Sequence, residues 1–191
     1  HLPGEDGMLR QRLWKVRAKQ VILATGAIER SLVFAENDRP GIMLAGAART
    51  YVNRYGVAPG SRTVVFTNND SAYAAALDMA AAGVGVEAVV DLRNQVEGDW
   101  PRLAREAGIP VMQGHTITGT RGRHRVSAVS VMRLNDAGDG VAGDVRQLKC
   151  DSVAMSGGWS PAVHLFSQAR GALIFDEQEG TFRPGEAMQA V

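Results

Sequence analysis

Thr63-Val64-Val65-Phe66-Thr67, Asn68-Asn69-Asp70-Ser71, the run Ala72-Tyr73-Ala74-Ala75-Ala76-Leu77-Asp78-Met79-Ala80-Ala81-Ala82, Gly83, and Val84 to Asp91 follow one another without interruption. The first run is apolar, β-branched and aromatic, as a buried parallel strand requires. The second predicts a turn and a helix N-cap. The alanine-rich run is made of strong helix formers, and Gly83 can end it in a left-handed conformation. Val84 to Val90 returns to strand character, with Asp91 at its end. This is the order and spacing of one half of a Rossmann fold, with an acid placed for a ribose hydroxyl. Where G-x-G-x-x-G is expected, however, the chain carries Thr67-Asn68-Asn69-Asp70-Ser71-Ala72.

Reading outward toward the N-terminus, Gly4 to Gly7 suggests a hairpin tip and Leu9 to Val16 a strand. Val21-Ile22-Leu23-Ala24-Thr25-Gly26-Ala27 reads as a short buried strand stopped at a glycine. Ile28 to Pro40 is a loop, Leu44 to Tyr55 a helix, and Gly56 to Gly60 a linker. Toward the C-terminus, Trp100 to Ala107 reads as a helix with Asp99 as N-cap and Pro101 in its first turn. Val111 to Gln113 is a third short strand. His115 to Thr120, Val126 to Leu134 and Val145 to Cys150 form a β-meander, with a turn at Asn135 to Gly140. Asp151 to Gly158 is another short strand, ending in glycines, and Pro161 to Gln168 a helix. Val21 to Gly26 and Ser152 to Gly157 are alike: each is a small-residue strand ending in a hydroxyl residue and glycine. They bracket the βαβ segment as the exits of an inserted domain would. The expected fold is α/β: a Rossmann-like parallel sheet with flanking helices and a β-meander. The expected domains are 1–60, part of a parent dinucleotide-binding domain with its linker; 61–150, the inserted domain; and 151–191, the return to the parent. The missing initiator Met suggests a piece of a longer polypeptide.

The 191 residues suffice for one or two small domains, and the net charge is +1. With no Lys/Arg-rich tract, nucleic acid and anionic membranes are not expected partners. No apolar run approaches the ~20 residues of a membrane span. The single cysteine, Cys150, excludes an intrachain disulfide and fits a reduced, cytoplasmic location. It reads as a buried structural thiol, with no histidine nearby in sequence. His115, His124 and His164 lack metal-ligand spacing. Arg121, Arg123 and Arg125 with His124 read as a solvated hairpin tip, and Trp159 as a core or interface aromatic.

No residue stands out as a catalytic group or metal ligand. The candidate cofactor contacts are Thr25, Gly26, Ala27, Asn68, Asn69, Ser71, Asp91, Gly157 and Gly158. In the loop, Ala72 can replace the third fingerprint glycine, but Thr67 and Asn69 replace the first, which permits the tight turn, and the second, which lets the backbone approach a pyrophosphate. The helix N-terminus offers N–H groups to an anion, whereas Asp70 brings a like charge there. Two readings stand: NAD bound by this unit, or a vestigial structural role. Asp91 is either a ribose acceptor or a solvated carboxylate near Arg93. Thr25 and Gly26 either border a dinucleotide held by the parent domain or merely let the chain leave a sheet; Ser156, Gly157 and Gly158 carry the same pair of readings.

Ala24-Thr25-Gly26-Ala27 resembles a motif of the two-dinucleotide-binding-domain, glutathione-reductase-like flavoproteins. More specifically, Val21 to Arg30, Asn37 to Met43, Asn68-Asn69-Asp70-Ser71-Ala72-Tyr73, Val90 to Arg93 and Ser156-Gly157-Gly158-Trp159-Ser160-Pro161 look like the α subunits of heterotetrameric sarcosine oxidases. The resemblance implies an oxidoreductase acting on a CH–NH donor. The intact complex would oxidise the N-methyl group of sarcosine, passing electrons to oxygen and the one-carbon unit to tetrahydrofolate. It implies NAD, FAD and FMN in that complex, the flavins mostly on another subunit, and the rest of the α subunit and the other subunits as partners. The chain alone is expected to be inactive. The α subunits of opine oxidase and hydrogen cyanide synthase share the architecture. An NADH-binding domain of an FAD-dependent reductase and a non-catalytic scaffold for subunit contact are the rival readings.

Overall fold

The computed structural model describes residues 2–3 and 9–185. In chain order the elements are β1 (Leu2–Pro3), β2 (Leu9–Gln11), β3 (Ala27–Glu29), β4 (Ile42–Leu44), α1 (Ala45–Tyr55), β5 (Arg62–Thr67), α2 (Ser71–Ala81), β6 (Gly85–Asp91), α3 (Asp99–Glu106) and β7 (Val111–Gln113). There follow β8 (His115–Arg121), β9 (Ala128–Leu134), β10 (Val141–Lys149), β11 (Ser152–Ser156), β12 (Trp159–Pro161), α4 (His164–Gln168), β13 (Leu173–Asp176) and β14 (Thr181–Pro184). The chain divides into two compact units, one of Ala27–Pro161 and one of His1–Gly26 with Ala162–Val191.

The larger unit is built on a five-stranded sheet of order β4-β11-β5-β6-β7, and every neighbouring pair in it is parallel. Its central strands are buried on both faces. Val65, Val89 and Ala154 point into a core shared with α1, α2 and α3. Val64, Phe66, Ala88, Val90, Val153 and Met155 point into a second core, where Ile117, Val129 and Val131 of the meander and Phe34 pack. The alternation follows from the two-residue period of a strand. In α2, Ala72, Tyr73, Ala74, Ala75, Ala76 and Met79 are all buried, and the small side chains let the helix lie close between the sheet and its neighbours. The antiparallel meander has the order β10-β9-β8. This is the expected α/β, Rossmann-like architecture.

Several local expectations are corrected. β11 is hydrogen-bonded between β4 and β5, so 152–156 lies inside the same sheet as the βαβ unit. Residues from 42 to 156 thus contribute to one sheet, and the two compact units divide at 26/27 and 161/162. Val21 to Ala27 is not a buried strand: Val21 and Ile22 are 75% and 92% exposed, and the first ladder residue is Ala27. An apolar run becomes a strand only where another ladder takes its N–H and C=O groups, and among the described residues none runs beside it. The likeness between 21–26 and 152–157 therefore does not extend to structure. The strand read over 9–16 is limited to Leu9–Gln11, and the hairpin tip at 4–7 lies outside the described residues. Gly98, with φ 110°, stands at the N-cap of α3, and Asp99 falls in its first turn. Pro161 belongs to β12, leaving α4 only His164–Gln168.

The N-terminal ends of β5 and β11, in the middle of the sheet, are tied by Asp151. Its carboxylate accepts the backbone N–H of Ser61 at 3.0 Å, that of Arg62 at 2.9 Å and the Ser61 hydroxyl at 2.6 Å. Burial pushes the Asp151 pKa up, but these bonds together outweigh it and hold the carboxyl below its ordinary 3.8. A folded-state pKa depressed below the unfolded value gives stability that is present above 3.8 and lost as pH falls through the folded value. Urea midpoints measured from pH 5 downward should fall less steeply in Asp151→Asn than in the parent chain; equal slopes would deny Asp151 this role. Beside it, Cys150 is buried, and burial first, then the charges of Asp151 and Glu87, push its thiol up to about 12. This suits the structural thiol read from the sequence.

Candidate functional site

In an open parallel sheet, ligands bind outside the carboxyl ends of the strands where the strand order reverses. Here β5 continues to β6 on one side, while β11, which follows the meander, lies on the other. The crevice therefore opens between the ends of β5 and β11, at Thr67 and Ser156, which are register partners. Asn68, Asn69 and Ser71 leave β5, and Gly157 and Gly158 leave β11, so five of the sequence candidates converge at this point.

Asn69 spans the crevice. Its Nδ2 donates to Ser156 O at 3.2 Å and to Ser156 Oγ at 3.1 Å. Its Oδ1 accepts the Ser71 N–H at 3.1 Å and the Ser71 hydroxyl at 2.5 Å. The Ser71 hydroxyl in turn accepts Trp159 Nε1–H at 2.9 Å. Thr67 Oγ1 accepts the Asn69 N–H at 3.0 Å and donates to Asn69 O at 2.9 Å. The side chains that replace the fingerprint glycines thus fold the loop on itself and occupy one of the N–H groups that a helix start offers to an anion. Asn68 and Ser71 are exposed, and Asn69 is half-buried. Trp159 is partly exposed and bridges to this loop, so it is not a core aromatic.

Asp70 stands at the N-cap of α2 without a side-chain capping bond. Its carboxylate is turned to Arg93, whose Nη2 lies 2.8 Å from Asp70 Oδ1 and 2.8 Å from Asp91 Oδ2. Asp91 is 0% exposed. Its Oδ1 accepts the N–H of Arg93 at 2.9 Å and Arg93 Nε at 3.1 Å. Its Oδ2 also accepts the Tyr73 hydroxyl at 2.8 Å. The carboxylate is near Arg93 as read from the sequence, but it is buried rather than solvated, and both oxygens are engaged within the protein. Burial, then the charge of Asp91, push the Tyr73 phenol well above its ordinary 10.0, so it stays protonated and able to donate. Tyr73 is the member of this cluster that the sequence reading does not connect to Asp91. The available signal was one hydroxyl-bearing aromatic inside an otherwise alanine-rich helix, since a buried tyrosine needs a partner for its O–H.

Gly157 and Gly158 are buried and held against the loop after β3. Gly157 N–H donates to Arg30 O at 2.7 Å, and Arg30 N–H donates to Gly158 O at 2.9 Å. A Cβ at Gly157 would come within 2.9 Å of Ser31 O, so a bare backbone is needed for this close approach. Ala27 lies in β3, opposite Pro161. In the other unit, Thr25 Oγ1 donates to Ala162 O at 2.7 Å and Ala162 N–H to Gly26 O at 2.9 Å. Gly26 has φ +67°, with open space where a Cβ would project. Among the described residues no three His, Cys, Asp or Glu come together in a metal-binding group, and no helix is long and apolar enough to cross a membrane.

No family model matches the chain. It is 45% identical over 192 residues to the sarcosine oxidase subunit alpha of Corynebacterium sp. strain P-1, covering 98% of this chain. It is 40% identical over 185 residues to that of Rhizobium meliloti strain 1021, covering 95% of this chain and 16% of the relative. The chain spans 19% of the length of the Corynebacterium relatives it matches. The resemblance to sarcosine oxidase α subunits therefore holds over nearly the whole of this sequence. Among solved structures, it is similar to T. acidophilum thioredoxin reductase, with a TM-score of 0.62 and 15% identity, covering 86% of this chain and 56% of that one. L-proline dehydrogenase from P. horikoshii gives a TM-score of 0.55 and 23% identity, covering 88% of this chain and 26% of that one. These structural likenesses establish the fold.

Proposed function

We propose that the chain serves as a segment of the α subunit of a flavin-dependent sarcosine oxidase, an oxidoreductase acting on a CH–NH donor. The observation that carries this reading is 45% identity sustained over 98% of the chain. In the intact, cytoplasmic complex the N-methyl group of sarcosine is oxidised with oxygen as acceptor. FAD and FMN lie mostly on another subunit, and the remaining α polypeptide and the other subunits are the partners. Sarcosine-dependent oxygen uptake by the assembled complex tests this. A complex that uses opines or glycine instead would transfer the reading to an opine oxidase or a hydrogen cyanide synthase.

Within that complex the segment acts as a dinucleotide-type scaffold and supplies no reacting group. The residues at the switch point fit a bound dinucleotide poorly. Asn69 spans the pyrophosphate approach, Asp91 has no exposed surface for a ribose, and Asp70, Asp91 and Arg93 together leave the loop one negative charge in excess. These observations favour the scaffold over an NADH-binding reductase domain. Asn68, Asn69, Ser71, Asp91, Gly157 and Gly158 then maintain a vestigial crevice. Thr25, Gly26 and Ala27 are left as candidates to border a dinucleotide held by the parent domain. Calorimetry with NAD should give no saturable heat with this chain and saturable binding with a polypeptide of the relatives' full length. Saturable binding by this chain alone would restore the reductase reading.

A further inference from the structure

Apart from the switch-point crevice, the unit Ala27–Pro161 carries an open cavity of about 660 Å³, lined among others by Glu29, Gly46, Tyr51, Tyr55 and Trp159. Three elements assemble it. β3 and β12 pair antiparallel with Glu29 directly opposite Trp159, which sets a carboxylate beside an indole on one face of the ribbon. α1 presents Tyr51 and Tyr55 at i and i+4, one above the other on the same helical face, with ring centroids 6.1 Å apart. Gly46, in the first turn of α1, completes the floor. A Cβ there would meet Glu29 Oε2 at 2.7 Å and the Trp159 ring at 3.7 Å, so the carboxylate and the indole converge over the same bare backbone.

The groups are held in place before any ligand arrives. Gly46 N–H donates to Glu29 Oε2 at 2.8 Å, which orients the carboxylate. Trp159 Nε1–H donates to Ser71 Oγ, which fixes the plane of the indole. Trp159 and Tyr51 nonetheless remain 42% and 46% exposed. Among the residues lining the cavity, Glu29 is the charged one. The Arg54 guanidinium already lies over the Tyr55 ring, 5.7 Å from its centroid, so one of these rings attracts a cation within the protein itself.

We propose that this cavity binds a small organic ammonium ion, with Glu29 facing its charge and the rings of Trp159 and Tyr51 facing its alkyl groups. The π faces carry negative potential and attract a weakly hydrated cation. An anion would meet Glu29, and a neutral apolar ligand would strip water from that carboxylate without replacing it. The proposal stands apart from the reading of the dinucleotide crevice.

Ligand-observed NMR on the full chain tests it, with tetramethylammonium chloride as the cation and tert-butanol as a neutral probe of similar size. A saturable upfield shift is expected for tetramethylammonium and none for tert-butanol. Glu29→Gln keeps an acceptor for Gly46 N–H and should weaken binding on the order of threefold through the lost charge. Tyr51→Leu, on an exposed helix face, should weaken it on the order of threefold through the lost ring. The proposal is overturned by the absence of a saturable shift, by an equal response to tert-butanol, or by binding that neither variant weakens.

Discussion

Asp91→Ala is expected to destabilise the larger unit by about 3 kcal/mol, the low end of the range for removing one partner of a buried charge pair, because Arg93 is a third exposed and keeps Asp70. The carboxylate has no exposed surface and holds together the N–H and guanidinium of Arg93 and the hydroxyl of Tyr73. Its loss leaves the Tyr73 hydroxyl without its acceptor inside α2 and leaves Arg93 with only Asp70 of its two acidic partners. Tyr73→Phe removes one neutral donor and should cost only about 1 kcal/mol. In the Asp91→Ala background the same change should be nearly neutral, because no acceptor remains. Urea unfolding of the single and double variants measures this coupling. Additive losses, or a loss for Asp91→Ala below about 1 kcal/mol, would mean that the cluster does not hold the loop. Asp91→Asn retains an acceptor and provides a milder variant if the alanine form does not fold.

The same cluster marks where the sequence stops being legible. Strand, helix and strand over 63–91 could be read because their cues are local: β-branched residues, alanines and a glycine stop. The meander could be read from alternation and the turn at 135–140. The convergence of Asn68 and Asn69 with Gly157 and Gly158 depends on β11 lying beside β5. No local signal specifies that neighbour, although the small-residue strand ending in glycines was visible. Val21-Ile22-Leu23 misled because an apolar β-branched run carries strand propensity whether or not a ladder exists to satisfy its backbone. The sequence places Asp91 at the strand end and beside Arg93. Its complete burial depends on Tyr73, eighteen residues back in sequence and on the adjoining helix, a tertiary relation that strand-end position alone does not disclose.

Phe66→Ala is expected to cost about 3–5 kcal/mol, and the reason lies in the continuous apolar run that decided the fold. A half-buried strand would place only alternate residues in a core, but Val64, Val65 and Phe66 are all buried. Phe66 points to the meander face, with Met155 and Val90 as its register partners. Its ring meets Phe34 edge-on, at 5.6 Å between centroids and 77° between planes. Truncation should therefore open a cavity between sheet and loop as well as expose apolar surface. Phe34 is the buried anchor of the chain leading away from Arg30, and the Arg30 backbone holds Gly157 and Gly158. Amide exchange at residues 30–34 and 157–158 should accelerate more than that at the far edge of the sheet, 111–113. As a control, Val145→Ala, on an exposed strand of the meander, should stay within about 0.5 kcal/mol of the parent. A Phe66→Ala loss no larger than that control would contradict a sheet buried on both faces. A full loss with uniform exchange would keep the two-faced sheet but separate Phe34 from the support of the switch-point glycines.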